Sequence, residues 1–390
     1  MRLVFLLLLV LPTLGAQQAE VARGFAHFYN LEFDEAIEVF RAVVANHPEN
    51  PHHYNYLSQG ILYREMHRAG ALESELVTGS NPFLRRKMQP STEDEREFEA
   101  AIAKALELSE AVLKENPDDV EALYASGVAY ALRSNYNFLV RKQHISSLRD
   151  ATRGRKAHNR ITELKPDMTD ARLMQGVHEY VVGSLPFTMK ILSFLAGYRG
   201  DREGGIRTIQ EVARNGIRNR EDAEVVLAAI YRRERRPKDA IPLLDDLIRR
   251  FPRNYLFRFE LAQMYSDLGD KASALEALRQ VAELKRQGVP GYTDLLEERI
   301  LFSKGVIQFW YNDLESAIEN LSKAAAKVDE LDLHAGVNSL FRLGQSYDLI
   351  GEREKAIQSY RKAIAHAPES DAAREAKRYL STPYRRQRSG

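Results

Sequence analysis

Residues 335–368 read AGVNSLFRLGQSYDLIGEREKAIQSYRKAIAHAP. Leu340, Leu343 and Tyr347 recur at i, i+3 and i+7, and Ala356, Tyr360 and Ala363 repeat that helical spacing after a break at Gly351-Glu352. The stretch therefore predicts two helices joined by a short turn. Gly344 on the first and Ala356 on the second mark where the axes come closest, because only small side chains fit there. Ala363 leaves room for the next unit, and Pro368, with no N–H to donate, ends the second helix. A helix pair this short cannot bury its apolar face alone, so the spacing also predicts that neighbours stack on it.

The positions of Leu340, Leu343, Gly344, Tyr347, Ala356, Tyr360, Ala363 and Pro368 resemble the tetratricopeptide repeat, a pair of antiparallel helices A and B of about 34 residues. The rest of the chain reads as variations on this unit. Gly24, Ala36, Phe40 and Pro48 place a first unit at residues 18–46. Leu57, Gly60 and Tyr63 open a second, which resumes at Ala105, Val112 and Pro117 after a break at residues 77–90 rich in Gly and Pro. Leu123, Gly127 and Tyr130 mark a third with an insertion around residues 134–148, and Leu173, Gly176 and Tyr180 a fourth with an apolar insertion. Regular spacing returns with Ala228, Tyr231, Ala240 and Leu244, then Ala262, Ala274 and Leu278, then Gly305, Ala317 and Leu321. The expected fold class is all-α: a right-handed superhelix (α-solenoid) of about eight helix pairs with insertions in units 2, 3 and 4. The expected divisions are 1–16 signal peptide, 17–218 units with insertions, 219–368 regular units, 369–380 a capping helix and 381–390 a basic disordered tail.

Composition is that of an ordinary folded protein, 44% hydrophobic and 28% charged, with a formal net charge of +1. A balance this neutral speaks against wholesale nucleic-acid binding. At the amino terminus Arg2, the apolar run Leu3–Leu11 and the small-residue site Leu14-Gly15-Ala16 form a secretory signal pattern, with Gln17 as the expected first residue of the exported chain. That apolar run is about half of what a spanning helix needs. The absence of cysteine lets the chain enter an oxidising compartment without a disulfide framework, and the expected location is the periplasm.

Residues 182–206, VGSLPFTMKILSFLAGYRGDREGGI, resemble part of the outer-membrane and inclusion-clearance family of tetratricopeptide proteins. They are also similar to the tetratricopeptide component associated with periplasmic solute transporters. Neither resemblance implies a catalytic site. No Gly-rich phosphate loop, Gly-x-Ser-x-Gly elbow or His-Glu-x-x-His motif occurs, and the ten histidines are scattered, which reads as surface. No enzyme activity, cofactor or metal is therefore expected.

The expected function is a secreted scaffold that binds a protein or peptide along its concave face. By the repeat template that face includes Phe259, Gln263, Phe302, Phe309, Phe341 and Gln345, whose rings and amides suit an extended peptide or a helix. The lysine and asparagine that a carboxylate-binding repeat places on this face are replaced by Val21 and Phe25 in the first unit. Between Arg199 and Arg258 the chain carries fourteen arginines and one lysine against ten acidic residues, and Arg232, Arg233, Arg235 and Arg236 bunch at one turn. An anionic partner or a membrane surface could contact them there. Residues 185–195 are apolar at most positions and are expected to be buried rather than to meet lipid. The alternative function is a carrier that holds an apolar small molecule near Phe187, Ile191 and Phe194.

Overall fold

A computed structural model describes residues 14–72, 88–185 and 199–386. Arg2 and the Leu3–Leu11 run of the signal pattern, most of the 77–90 break and nearly all of the 185–195 insertion lie outside the described residues, whereas Leu14-Gly15-Ala16 form the start of the first helix. Within them the chain forms α1 (Leu14–Tyr29), α2 (Phe33–Asn46), α3 (Pro51–Arg68), α4 (Thr92–Glu115), α5 (Val120–Tyr136), α6 (His144–Leu164), α7 (Leu173–Gly183) and α8 (Arg202–Asn215). It continues through α9 (Arg220–Arg233), α10 (Pro237–Arg250), α11 (Tyr255–Leu268), α12 (Lys271–Arg286), α13 (Glu297–Trp310), α14 (Leu314–Ala326), α15 (Leu333–Leu349), α16 (Arg353–His366) and α17 (Asp371–Tyr379). Consecutive helices pair and the pairs stack, giving the all-α solenoid.

The pairing rests on one contact repeated along the chain. A Cβ added at Gly24 would come within 2.4 Å of the Phe40 ring, at Gly305 within 2.7 Å of Leu321, and at Gly344 within 2.6 Å of the Tyr360 ring. In each case the large residue follows sixteen positions after the small one, as Leu244 follows Ala228 and Leu278 follows Ala262. All five large residues are fully buried. Helix starts are set by side chains that accept a backbone N–H two or three residues on: Asn50, Ser91, Asp119, Asn254, Asp332 and Ser370.

Two expectations change. The extra residues of the third unit do not form a separate loop. They lengthen both helices, which are joined through a π-helical turn at Asn137–Arg141. Arg133 bridges this pair by donating twice to Asp150, each bond at 2.8 Å. Nor are all the histidines on the surface. His158 fills the place of the large residue against Gly127 and is 3% exposed. Burial pushes its pKa down to about 4, against a backbone hydrogen bond at Ala171. His53 is likewise buried.

The solenoid curls until its first unit meets its fifth and sixth. The Asn254 amide donates to the Tyr29 carbonyl at 2.8 Å, and the Arg253 N–H donates to the Asn30 side chain at 2.9 Å. The Arg253 guanidinium pairs with Glu32, and the Tyr29 ring packs 5.0 Å from Phe251. Further along, His67 at the end of α3 hydrogen-bonds the Tyr255 hydroxyl at 2.9 Å. The fourth unit is tied down differently. The Asp170 carboxylate accepts the backbone N–H groups of Ile217, Arg218 and Asn219, which orders the turn into α9.

The Tyr360 ring cannot swing away from Gly344, because its hydroxyl donates to Asp348 at 2.8 Å. Gly344→Ala is therefore expected to cost about 1–3 kcal/mol of stability in urea unfolding. Because coupling along a solenoid is between neighbours, hydrogen exchange should speed up in α13–α17 and stay unchanged in α4–α6.

Candidate functional site

The concave face is built by the A helices, and it differs between the two halves of the chain. In the amino-terminal half it is closed on itself. The Tyr29 hydroxyl donates to the Asp222 carboxylate across the superhelix at 2.9 Å, and Gln59 hydrogen-bonds the same group. Tyr56 and Tyr63 on α3 line the remaining space, with Phe25 5.0 Å from Tyr56. Burial pushes the Asp222 carboxyl up to about 6, Glu221 adds to this, and Tyr29 and Gln59 oppose it. Nearby, Glu121 lies 3.1 Å from His52 and accepts two hydrogen bonds from Arg218. The His52 contact first, and Arg218 after it, hold the Glu121 carboxyl down at about 2 against burial.

In the carboxy-terminal half Gly70, just after α3, approaches Asp332 at the start of α15, and beyond that contact α13 and α15 present partly exposed side chains. Of the six residues expected there, Phe302, Phe309, Phe341 and Gln345 prove to be buried. The reason is geometric: Phe302 is pressed against the next unit's A helix, Phe341 against its own B helix and α17, and Phe309 is covered by Tyr384 and Arg386 beyond α17. Phe302 lies 6.0 Å from the His334 ring, Phe341 packs between Tyr360 and Tyr379, and Gln345 accepts a hydrogen bond from Arg342. Phe259 and Gln263 keep partial exposure; Arg299 stacks 4.9 Å over Phe259, and Gln263 donates to Asp267.

The residues presented on this face are others. Trp310, the single tryptophan, is 51% exposed at the end of α13, and the Arg342 guanidinium lies 4.8 Å from its ring centre. His334, Asn338 and Arg342 follow at i, i+4 and i+8 along α15, all partly exposed. Phe309, which the template named, is buried, and its neighbour Trp310 is exposed. The exposed tryptophan beside a basic helix stripe was the signal that could have found the surface.

The arginine cluster dissolves into separate contacts. Arg232 pairs with Glu260 at 2.9 Å, Arg236 pairs with Asp239 at 2.7 Å and covers Tyr231, and Arg233 lies over Tyr180. Arg235 is exposed at a positive-φ turn residue. Most of the local positive charge is thus matched within the fold. Among the described residues no group of histidine and acidic side chains could hold a metal ion, and no helix is long and apolar enough to cross a membrane.

Residues 225–289 and 337–370 match family models described as tetratricopeptide repeat. These spans cover the fifth and sixth units and the stretch in which the repeat was first read. Among solved structures, a human IFIT1 dimer with PPP-AAAA is 16% identical, over 94% of this chain and 79% of that one, with a TM-score of 0.44. Yeast Tom70 is 12% identical over 94% and 95%, with a TM-score of 0.40. A tetratricopeptide repeat protein from Parabacteroides merdae is 14% identical over 80% and 92%, with a TM-score of 0.31. Among curated proteins none matches the sequence. The two finer resemblances of residues 182–206 gain no support from these matches.

Asp222 keeps its proton to about pH 6 in the folded chain, whereas an unfolded carboxyl loses it near pH 3.9. The folded state therefore binds more protons over that range, and stability falls as pH rises from about 4 to 6. The groups facing Asp222 are Tyr29, Gln59, Tyr63 and Glu221. Asp222→Asn is expected to raise the Tm relative to wild type at pH 7.5, with the difference shrinking towards pH 4. Thermal melts of both proteins across that range check this.

Proposed function

We propose that this chain is an exported interaction scaffold that binds another protein on the concave face of α13 and α15. One observation carries the reading: Trp310 stands half exposed beside Arg342, Asn338 and His334 on a stacked-helix surface, where rings and hydrogen-bonding side chains meet solvent together. Aromatic and arginine side chains dominate the energy of protein interfaces. The tetratricopeptide matches at 225–289 and 337–370 support a role in binding protein rather than in catalysis. The export half of the reading is supported by Arg2, the Leu3–Leu11 run, Leu14-Gly15-Ala16 and the lack of cysteine. Gln17 contacts His53 at 3.0 Å, so a chain beginning there loses the first three residues of α1 and keeps this tie between α1 and α3.

Trp310→Ala changes a half-exposed side chain and is expected to leave the Tm within about 1 °C, equivalent to less than about 1 kcal/mol. Captured on a resin from cell-envelope extract, the wild-type chain should retain a partner that Trp310→Ala loses at least tenfold. Equal recovery by both proteins would remove this face as the docking surface. Intact mass of the chain from its own host should correspond to a start at Gln17; a retained Met1 would refute cleavage there.

A further inference from the structure

The segment after α17 does not trail into solvent as a basic tail should. Arg353 donates to the Tyr379 and Leu380 carbonyls at 2.7 and 2.9 Å, which turns the chain back along the last two units. From there Tyr384 points inward, Arg385 outward and Arg386 inward, the two-residue alternation of an extended peptide lying on a surface. The Tyr384 N–H donates to the Asp348 carboxylate at 2.8 Å, and its ring lies 5.3 Å from Tyr379 and 6.1 Å from Phe309. Asp348 is itself fixed by Tyr360 at 2.8 Å and Arg353 at 2.9 Å, so the acceptor is pre-positioned.

Arg386 reaches the end of α13. Its guanidinium donates to the Phe309 carbonyl and, at 3.1 Å, to the Trp310 carbonyl, and lies 5.1 Å over the Phe309 ring. The Phe309 carbonyl already accepts the Asn312 N–H at 3.1 Å; a carbonyl oxygen has a second lone pair, and the last carbonyls of a helix carry the negative end of its dipole, so a cation suits them as the further partner. Two pockets thus sit one extended dipeptide apart. One takes an aromatic ring with its N–H, the other a guanidinium.

We propose that this groove, formed by the end of α13 with Asp348 and Tyr379, is a docking site for an extended protein segment with a tyrosine two residues ahead of an arginine. The chain's own Tyr384–Arg386 occupies it, and the incoming segment must displace that occupant. The inference rests on the scaffold reading and narrows it to basic, tyrosine-bearing segments. The tethered segment competes at an effective concentration in the millimolar range, so it sets a threshold that only a partner of matching chemistry crosses. A neutral or acidic segment has nothing to offer the carbonyls at the end of α13.

The test uses the single tryptophan, which adjoins the second pocket, as its reporter. The probe is a synthetic peptide of residues 381–386, Ser-Thr-Pro-Tyr-Arg-Arg. It is titrated into the full chain, into a chain ending at Thr382, and into a full-length Tyr384→Ala/Arg386→Ala chain that stays testable if the shortened one does not fold. The opened chains should show a saturable change in Trp310 emission, with affinity at least tenfold above that of the full chain. A peptide with alanine at the tyrosine and final arginine should give no change. No saturation on either opened chain would overturn the docking site while leaving the Trp310 capture experiment to judge the scaffold reading. Equal affinity for full and opened chains would overturn the displacement. A doubling of the full chain's mass by light scattering at high concentration, lost in the opened chains, would assign the groove to a second copy's segment and overturn the partner assignment.

Discussion

Close approach of two helix axes is the constraint from which the rest of this molecule follows. A glycine or alanine on helix A admits Phe40, Leu244, Leu278, Leu321 or Tyr360 from helix B, and each of those side chains is then fully buried. Interiors packed to that density respond to a single added methyl group. With each pair held at that separation, the next A helix has a fixed surface to stack on, and the pairs accumulate into a solenoid. Where the third unit departs from the pattern it keeps the contact and changes the chemistry, setting His158 against Gly127.

Closure of the first unit onto the fifth and sixth is a second level of order, and it adds polar contacts to an apolar one between Tyr29 and Phe251. Tyr29, Asn30 and Glu32 meet Asp222, Arg253 and Asn254 through directional hydrogen bonds and an ion pair. Such contacts contribute little net stability each, but they fix geometry, since a misaligned buried donor or acceptor is costly. The closure consumes the concave face of the amino-terminal half. Binding capacity is thereby concentrated on α13 and α15, where Trp310, Arg342, Asn338 and His334 remain accessible.

The carboxy-terminal groove joins stability to recognition. Asp348 is held by Tyr360, the residue that packs on Gly344, and it also receives the Tyr384 N–H. The contact that closes the last helix pair therefore also positions the acceptor at which an extended segment lies. Arg386 adds the charge that the end of α13 lacks.

By itself the sequence determined the helix pairs, their order and the small residues at their crossings, because these depend on neighbours within about 34 residues and leave a periodic trace. The end of the first unit at Asn46 was legible to the residue, and so was the turn at Gly351. What faces what across the superhelix left no such trace. Tyr29 and Asp222 are 193 positions apart, and no period connects them. Three of the expected concave-face aromatics, Phe302, Phe309 and Phe341, went inward because elements the repeat spacing does not place cover them: the next A helix, α17 and the segment that carries Tyr384 and Arg386. The basic segment at residues 381–386 read as disorder by composition; only the tertiary structure set the Phe309 and Trp310 carbonyls of α13 and the Asp348 carboxylate where Arg386 and Tyr384 could reach them.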